Sequence, residues 1–189
     1  MNTFIVGLTG LAGSGKDTAA RFLADALEAR GRRTRQMAFA DPIRQALLAI
    51  GVPSSYIHDR DLKEQEVPTF GASYRKMAQT LGTEWGRQMI GQDTWVRVLE
   101  NRLLGLQRKP DVLIVTDVRM QNEADWITAQ GGMLVLVERK SLTPVRHHAS
   151  EQGLTRWDAV VQNDADLNNL RARCDGLSHI VLASMALEA

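Results

Sequence analysis

Gly10-Leu11-Ala12-Gly13-Ser14-Gly15-Lys16-Asp17 is the stretch that decides how this chain folds. It departs at one position from G-x-x-x-x-G-K-[ST], the loop whose backbone N–H groups cradle phosphates. Residues 4–9 before it are a short apolar run suited to a buried strand. Across residues 17–30 the period turns helical, with Ala20, Leu23, Ala24 and Leu27 on one face. The glycines therefore fall where a strand hands over to a helix, and the helix N-terminus adds its own N–H groups to an anion site. Leu11, Ala12, Gly13, Ser14, Gly15, Lys16, Asp17 and Thr18 are the candidate phosphate-binding residues, with Lys16 able to reach β- and γ-phosphates. Asp17 stands where a Ser or Thr hydroxyl normally meets Mg²⁺. Either Thr18 supplies that hydroxyl or Asp17 reaches the ion, directly or through water.

Outward from the loop, strand and helix alternate. Residues 34–40 read as a second strand, and Asp41-Pro42 opens a helix with Asp41 as N-cap and Pro42 in the first position. Residues 51–71, with Pro53, Pro68 and many charges, read as a loop or insert. Helices are expected over about 72–90 and 93–107, and Lys109-Pro110 ends the second. Residues 111–116 carry a continuous apolar run typical of a central parallel strand. A helix over 121–130, a strand over 133–137, a polar basic stretch over 139–156, a short strand over 159–162 and a short helix over 165–174 complete the pattern. Residues 180–182 read as a further strand. The expectation is a three-layer α/β/α fold around a mostly parallel sheet, with ligands at the carboxyl ends of the strands.

The 189 residues suit one domain, and 44% hydrophobic and 24% charged residues are ordinary for a water-soluble globular protein. A net charge of +1 gives no strong pull toward polymeric nucleic acid or a membrane surface. Arginine greatly outnumbers lysine, which suits bidentate phosphate recognition, although a coding bias explains it equally well. Cys174 is alone, so neither an intrachain disulfide nor a Cys-based zinc cluster is available. The N-terminus runs straight into a strand with no signal peptide, and no apolar run is long enough to span a bilayer, so a cytosolic setting is expected.

Three further groups carry chemistry. Thr116-Asp117-Val118-Arg119 follows the apolar strand and puts Asp117 and Arg119 on the phosphate-loop face, with Glu123 one turn on to fix Arg119 by an ion pair. Asp117 would hold Mg²⁺ through water or bind a substrate; the alternative is an N-capping Asp beside a surface ion pair. Over residues 72–90, plotted at about 100° per residue, Tyr74, Met77, Ala78, Leu81, Trp85 and Met89 form a core stripe. Arg75, Gln79, Gly82, Thr83, Gly86 and Arg87 form the other face. Two glycines on one helix face, each costing about 1 kcal/mol against alanine, imply that something approaches closely. A substrate with its phosphate at Arg75 or Arg87 fits, and so does a packed helix. Trp95 shares a face with Leu99, Arg102 and Leu106 and reads as core. Arg146, His147, His148, Ser150 and Glu151 lie in the polar stretch. Adjacent histidines without a partner pair argue against zinc. A lid with Arg146 facing phosphates and Ser150-Glu151 capping a helix is one reading, a solvated loop the other. No Asn-Lys-x-Asp segment selects guanine.

Together these stretches resemble one known family, the bacteriophage deoxynucleoside monophosphate kinases of the P-loop nucleoside monophosphate kinase-like group. The resemblance rests on residues 10–18, Phe39-Ala40-Asp41-Pro42-Ile43-Arg44, and Leu81-Gly82-Thr83-Glu84-Trp85-Gly86-Arg87 with Gly91-Gln92-Asp93-Thr94-Trp95. Thr116-Asp117-Val118-Arg119 with Glu123, and His148-Ala149-Ser150-Glu151, complete it. It spans about residues 4–172, and the Gly-Lys-Asp-Thr variant of the loop belongs to it.

The resemblance implies a single P-loop kinase domain over residues 1–189, with a helical acceptor-binding insert over about 41–108 and a lid over about 139–156. It implies transfer of the ATP γ-phosphoryl group to a deoxynucleoside 5′-monophosphate. ATP would sit on residues 11–18, its adenine near Asn163, with Mg²⁺ at Asp17, Thr18 or Asp117. Lys16, Arg87, Asp117, Arg119 and Arg146 would be catalytic. Arg44, Arg75, Gln79, Gly82, Thr83, Gly86, Arg87, Asp117, Arg119, Ser150 and Glu151 would bind the acceptor. Partners would be small nucleotides, the protein a monomer or homodimer, and the setting a cytoplasm, the host's if a phage encodes it. A dephospho-coenzyme A kinase, an ATP-hydrolysing motor and a non-catalytic nucleotide-binding module share enough of these features to remain alternatives.

Overall fold

The computed structural model describes residues 3–142 and 154–187. Two compact units emerge, Met1–Ala38 with Leu103–Ala189, and Phe39–Arg102. In chain order the strands are β1 (Phe4–Thr9), β2 (Thr34–Met37), β3 (Glu66–Val67), β4 (Ala72–Ser73), β5 (Val112–Val115), β6 (Met133–Glu138) and β7 (Ala159–Gln162). The helices are α1 (Lys16–Glu28), α2 (Asp41–Ala49), α3 (Ser54–His58), α4 (Tyr74–Gln79), α5 (Thr94–Leu104), α6 (Gln121–Ala129) and α7 (Leu167–Leu187). A π-helical segment, Thr80–Ile90, continues α4.

The first unit is a five-stranded sheet in the order β2-β5-β1-β6-β7, every pairing parallel. Its central strands read as unbroken apolar runs because both faces are covered. Phe4, Val6 and Leu8 turn one face of β1 toward α1 and α7, where they join Leu23, Leu27, Leu170, Cys174 and Val181 in one cluster. The opposite face meets α6, close enough at Gly7 that a Cβ there would lie 2.5 Å from Ile127 Cδ1. Helix, sheet and helix give the expected three layers. Fully burying each such leucine or isoleucine contributes about 1.5–3 kcal/mol.

Several local expectations need correction. Residues 180–182 are not a strand but part of α7, whose buried Leu170, Cys174, Leu177, Ser178 and Val181 keep helical spacing throughout. A short apolar run carries no period of its own, so Ile180-Val181-Leu182 read equally as strand. Residues 51–71, expected as a loop or insert, hold α3, a 3₁₀ turn at Leu62–Glu64 and β3, which pairs antiparallel with β4 just beyond the stretch, so of the two the plain loop falls away. Ala40, not Asp41, is the N-cap of α2; Asp41 lies in its first turn, beside Pro42.

The largest difference is the π-helix. Bonding from i to i+5, as in Gly91 N–H to Gly86 O at 3.1 Å, advances each residue by about 80° rather than about 100°. Faces plotted at the α-helical angle therefore drift by about half a turn across the segment. Tyr74, before the change, is buried, whereas Trp85 is 44% and Met89 75% exposed, so the expected core stripe ends at the transition.

Candidate active site

The phosphate loop is shaped by its main chain. Gly10, Gly13 and Gly15 take φ of +139°, +83° and +95°, values that L side chains rarely adopt. A Cβ on Gly10 would also collide with the Val137 carbonyl of β6, and one on Gly15 with the Asn163 side-chain amide. Gly15 is the N-cap of α1, so the free N–H groups of the first turn open onto the loop. Lys16 folds back along it, its Nζ donating to Gly10 O at 2.7 Å and Leu11 O at 2.9 Å. Burial, and to a lesser degree the Arg119 guanidinium, pull the Lys16 pKa down to about 8 against the opposing pull of Asp17 and Asp117. Ser14 Oγ is buried and has no hydrogen-bond partner among the described residues.

Asp117 and Arg119 leave β5 on the same face. Thr116 N–H donates to Met37 O and Val118 N–H to Leu8 O, each at 3.1 Å, which ties this corner to the ends of β2 and β1. Val118 is fully buried and anchors the two polar neighbours. Buried Glu123 accepts from the backbone N–H groups of Arg119 (2.8 Å) and Met120 (3.0 Å), half of a capping box at the start of α6. The carboxylate expected to pair with the guanidinium thus holds the backbone that carries it. Lys16, Asp17, Asp117 and Arg119 form one charged group.

Beside the loop lies a cavity of about 800 Å³, lined by Gly13, Gly15, Thr18, Arg139, Asn163 and the start of α7. Thr18 faces this space. Asn163 borders it, but its Nδ2 donates to Ser14 O at 2.8 Å, a contact the sequence reading did not include.

In the Phe39–Arg102 unit, Arg44 pairs with Asp41 at 2.8 Å, and Arg75 pairs with Glu64. Both guanidiniums lie near the Tyr74 hydroxyl, which hydrogen-bonds Arg44 and whose pKa is raised chiefly by burial. Tyr74 read as core alone; its polar end signals the link to Arg44. Arg87 Nη1 approaches Gly82 O at 3.4 Å. The close approach inferred for Gly82 and Gly86 comes from this same unit. A Cβ on Gly86 would lie 2.5 Å from Trp95 Cζ2, and one on Gly82 would lie 2.9 Å from Ile43 Cδ1. Trp95 Nε1 donates to Gly82 O at 2.7 Å. Packing thus fills the room that Gly82 and Gly86 were expected to leave for an acceptor. Trp95 is 5% exposed, as its helical position implies, whereas Trp85 only leans against it with ring centroids 6.3 Å apart.

The profile of the deoxynucleotide monophosphate kinase family matches residues 57–174. The chain belongs to this family. A protein of Acanthamoeba polyphaga mimivirus, named as a deoxynucleotide monophosphate kinase, is 31% identical over 175 residues, covering 85% of this chain and 88% of the relative. The deoxynucleoside-5′-monophosphate kinase of Escherichia phage T5 is 26% identical, covering 88% of this chain and 92% of its own length. Among solved structures, that of APE1195 shares the fold with a TM-score of 0.53, at 14% identity, over 97% of both chains.

As a family member the chain is a nucleotide kinase. Arg146, His147, His148, Ser150 and Glu151 lie outside the described residues, so the lid assignments rest on sequence alone. No helix among the described residues is long and apolar enough to cross a membrane. Nor do those residues group three or more His, Cys, Asp or Glu in a way that could hold a metal ion. Arg139, absent from the sequence-based candidates, lines the cavity, and Asn163, a candidate for the adenine, lines it too while holding Ser14 O.

Proposed function

We propose that this kinase transfers the γ-phosphoryl group of ATP to a deoxynucleoside 5′-monophosphate, giving ADP and the deoxynucleoside diphosphate. Family membership combined with the Lys16–Asp117–Arg119 group beside a helix N-terminus carries the reading. The reaction needs positioning and charge neutralisation more than covalent chemistry. The N–H groups from Gly13 to Thr18 hold the donor phosphates, and the cavity beside them takes the nucleoside, with Asn163 and Arg139 at its edge. Lys16 exchanges the Gly10 and Leu11 carbonyls for phosphate oxygens and follows the γ-phosphoryl group through the transition state. Asp17, Thr18 and Asp117 are the oxygen donors for Mg²⁺, which when bound neutralises phosphate charge.

Arg119 stabilises the charge spread over the transferring group. Arg44, Arg75 and Arg87, with Gln79 and Thr83 on the same segment, serve the acceptor in a helical insert over about 41–108. Arg146, with Ser150 and Glu151, serves a lid over about 139–156. The partners are small nucleotides, and the setting is a cytoplasm, the host's for a phage-encoded chain. ADP release measured with each of the four deoxynucleoside monophosphates and with dephospho-coenzyme A tests the assignment. Turnover dependent on a deoxynucleoside monophosphate supports it. Turnover only with dephospho-coenzyme A, ATP hydrolysis without an acceptor, or binding without turnover each overturns it.

A further inference from the structure

The contact between Asn163 and the phosphate loop joins residues 149 apart in sequence. Asn163 follows β7, and its own backbone N–H donates to Glu138 O at 2.7 Å. The next residue, Asp164, accepts the Lys140 backbone N–H at 2.7 Å. The side chain therefore projects from a corner fixed to the end of β6. Its Nδ2 reaches Ser14 O at 2.8 Å and lies so close to the Gly15 Cα that no side chain fits there.

A trans peptide is planar, and its C=O and N–H point in opposite directions. A donor that captures the Ser14 carbonyl on one side of the loop thereby aims the Gly15 N–H to the other side. The left-handed Gly15, at φ +95°, has no intrinsic preference that would hold this orientation against its mirror. We propose that Asn163 is a positioning residue for phosphoryl transfer: its amide holds the Ser14–Gly15 peptide so that the Gly15 N–H faces the donor phosphates. This rests on the assignment of the loop to ATP. It gives Asn163 a role distinct from the adenine contact that its place at the cavity edge suggests.

Asn163→Asp keeps the shape and removes the donor, setting a carboxylate against the Ser14 carbonyl. Asn163→Ala removes the group altogether. Displacing a reacting group by about 1 Å costs up to about a hundredfold. The expected result for both variants is a fall of about ten- to a hundredfold in kcat/KM for ATP, with KM for the deoxynucleoside monophosphate and Tm unchanged. The second readout is the ¹H–¹⁵N resonance of Gly15 in ¹⁵N-glycine-labelled protein. In the wild type it should move downfield on binding a non-hydrolysable ATP analogue, and in both variants that shift should be lost while the analogue still binds.

Wild-type ATP kinetics in both variants would overturn the proposal. So would an unchanged Gly15 shift, or an equal loss for both substrates accompanied by a lower Tm. If the wild type turns over no deoxynucleoside monophosphate, the proposed function fails, and the Gly15 shift and analogue affinity still decide the role of Asn163.

Discussion

The phosphate loop and the π-helical segment Thr80–Ile90 are both glycine-dependent, for opposite reasons. In the loop, Gly10, Gly13 and Gly15 take positive φ, and the Val137 carbonyl closes in on Gly10 and the Asn163 amide on Gly15. In the π-segment neither Gly82 nor Gly86 has positive φ; each is needed because a side chain, Ile43 or Trp95, occupies the space of its missing Cβ. A backbone-built site leaves Lys16, the side chain proposed to meet the phosphates, able to exchange its two carbonyl partners. A packing-built segment has no such freedom. Substitutions in the first should therefore alter chemistry before stability, and in the second stability before chemistry.

Lys16→Ala tests the first half and has the largest expected effect. Losing one well-placed electrostatic group costs about 10²–10³ in kcat. Tm should stay within a degree or two of wild type, because among the described residues Nζ hydrogen-bonds only to the Gly10 and Leu11 carbonyls of the loop itself. A stable variant with near-wild-type turnover would break the assignment of Lys16, and a collapsed Tm would break the contrast itself.

Gly86→Leu tests the second half. Forcing side-chain atoms into the Trp95 indole is overpacking, which costs about 1–3 kcal/mol. At about 2–4 °C per kcal/mol for a chain of this size, thermal unfolding should shift by several degrees. Kinetics for both substrates should then suffer together. A loss confined to the deoxynucleoside monophosphate, with Tm intact, would mean that Gly86 meets the acceptor after all.

The same contrast explains what the sequence made legible. The strand, glycine loop and α1 were readable because their signals are local: an apolar run, a motif and a helical period within thirty residues. Asp117 and Arg119 were readable because the unbroken apolar β5 fixes where its carboxyl end falls. The π-segment was not, because an i to i+5 ladder leaves no mark in a pattern judged at the α-helical angle, and Trp85 was misplaced as core for that reason. The link from Asn163 to Ser14 and the approach of Arg44 to Tyr74 arise only when the chain folds, so no neighbouring residues announce them.

Among the arginines proposed for the acceptor the environments differ, and so should the effects. Arg44 is held by Asp41 and the Tyr74 hydroxyl, a preorganised guanidinium, whereas Arg75 pairs with an exposed Glu64 and loses more freedom when it binds. Arg44→Ala should raise KM for the deoxynucleoside monophosphate about tenfold, the worth of one charge-assisted hydrogen bond, and leave KM for ATP alone. Arg75→Ala should have the smaller effect. The reverse ranking would place the acceptor phosphate at Arg75 and make the Arg44–Tyr74 pair structural.

The smallest expected effect is a pH dependence confined to the loop. Lys16 titrates near 8 in the free protein because burial and Arg119 disfavour its charge. Bound phosphates favour that charge, so the complex keeps its proton to higher pH. Affinity for a non-hydrolysable ATP analogue should therefore be flat below about pH 8 and fall above it, by at most tenfold per pH unit. Calorimetry in buffers of different ionisation enthalpy should detect proton uptake on binding at pH 9 and almost none at pH 7. The stability term of this group runs the other way. Its folded pKa is below the unfolded value of 10.5, so between about 8 and 10.5 the unfolded chain binds more protons, and the unliganded fold gains stability as pH rises. Weakening affinity beside a Tm that does not fall thus separates Lys16 titration from general alkaline unfolding. Lys16→Arg, whose guanidinium stays charged throughout, should flatten the binding profile. A flat profile in the wild type itself would mean that Lys16 keeps its proton in the free loop, and that the carboxylates of Asp17 and Asp117 outweigh its burial.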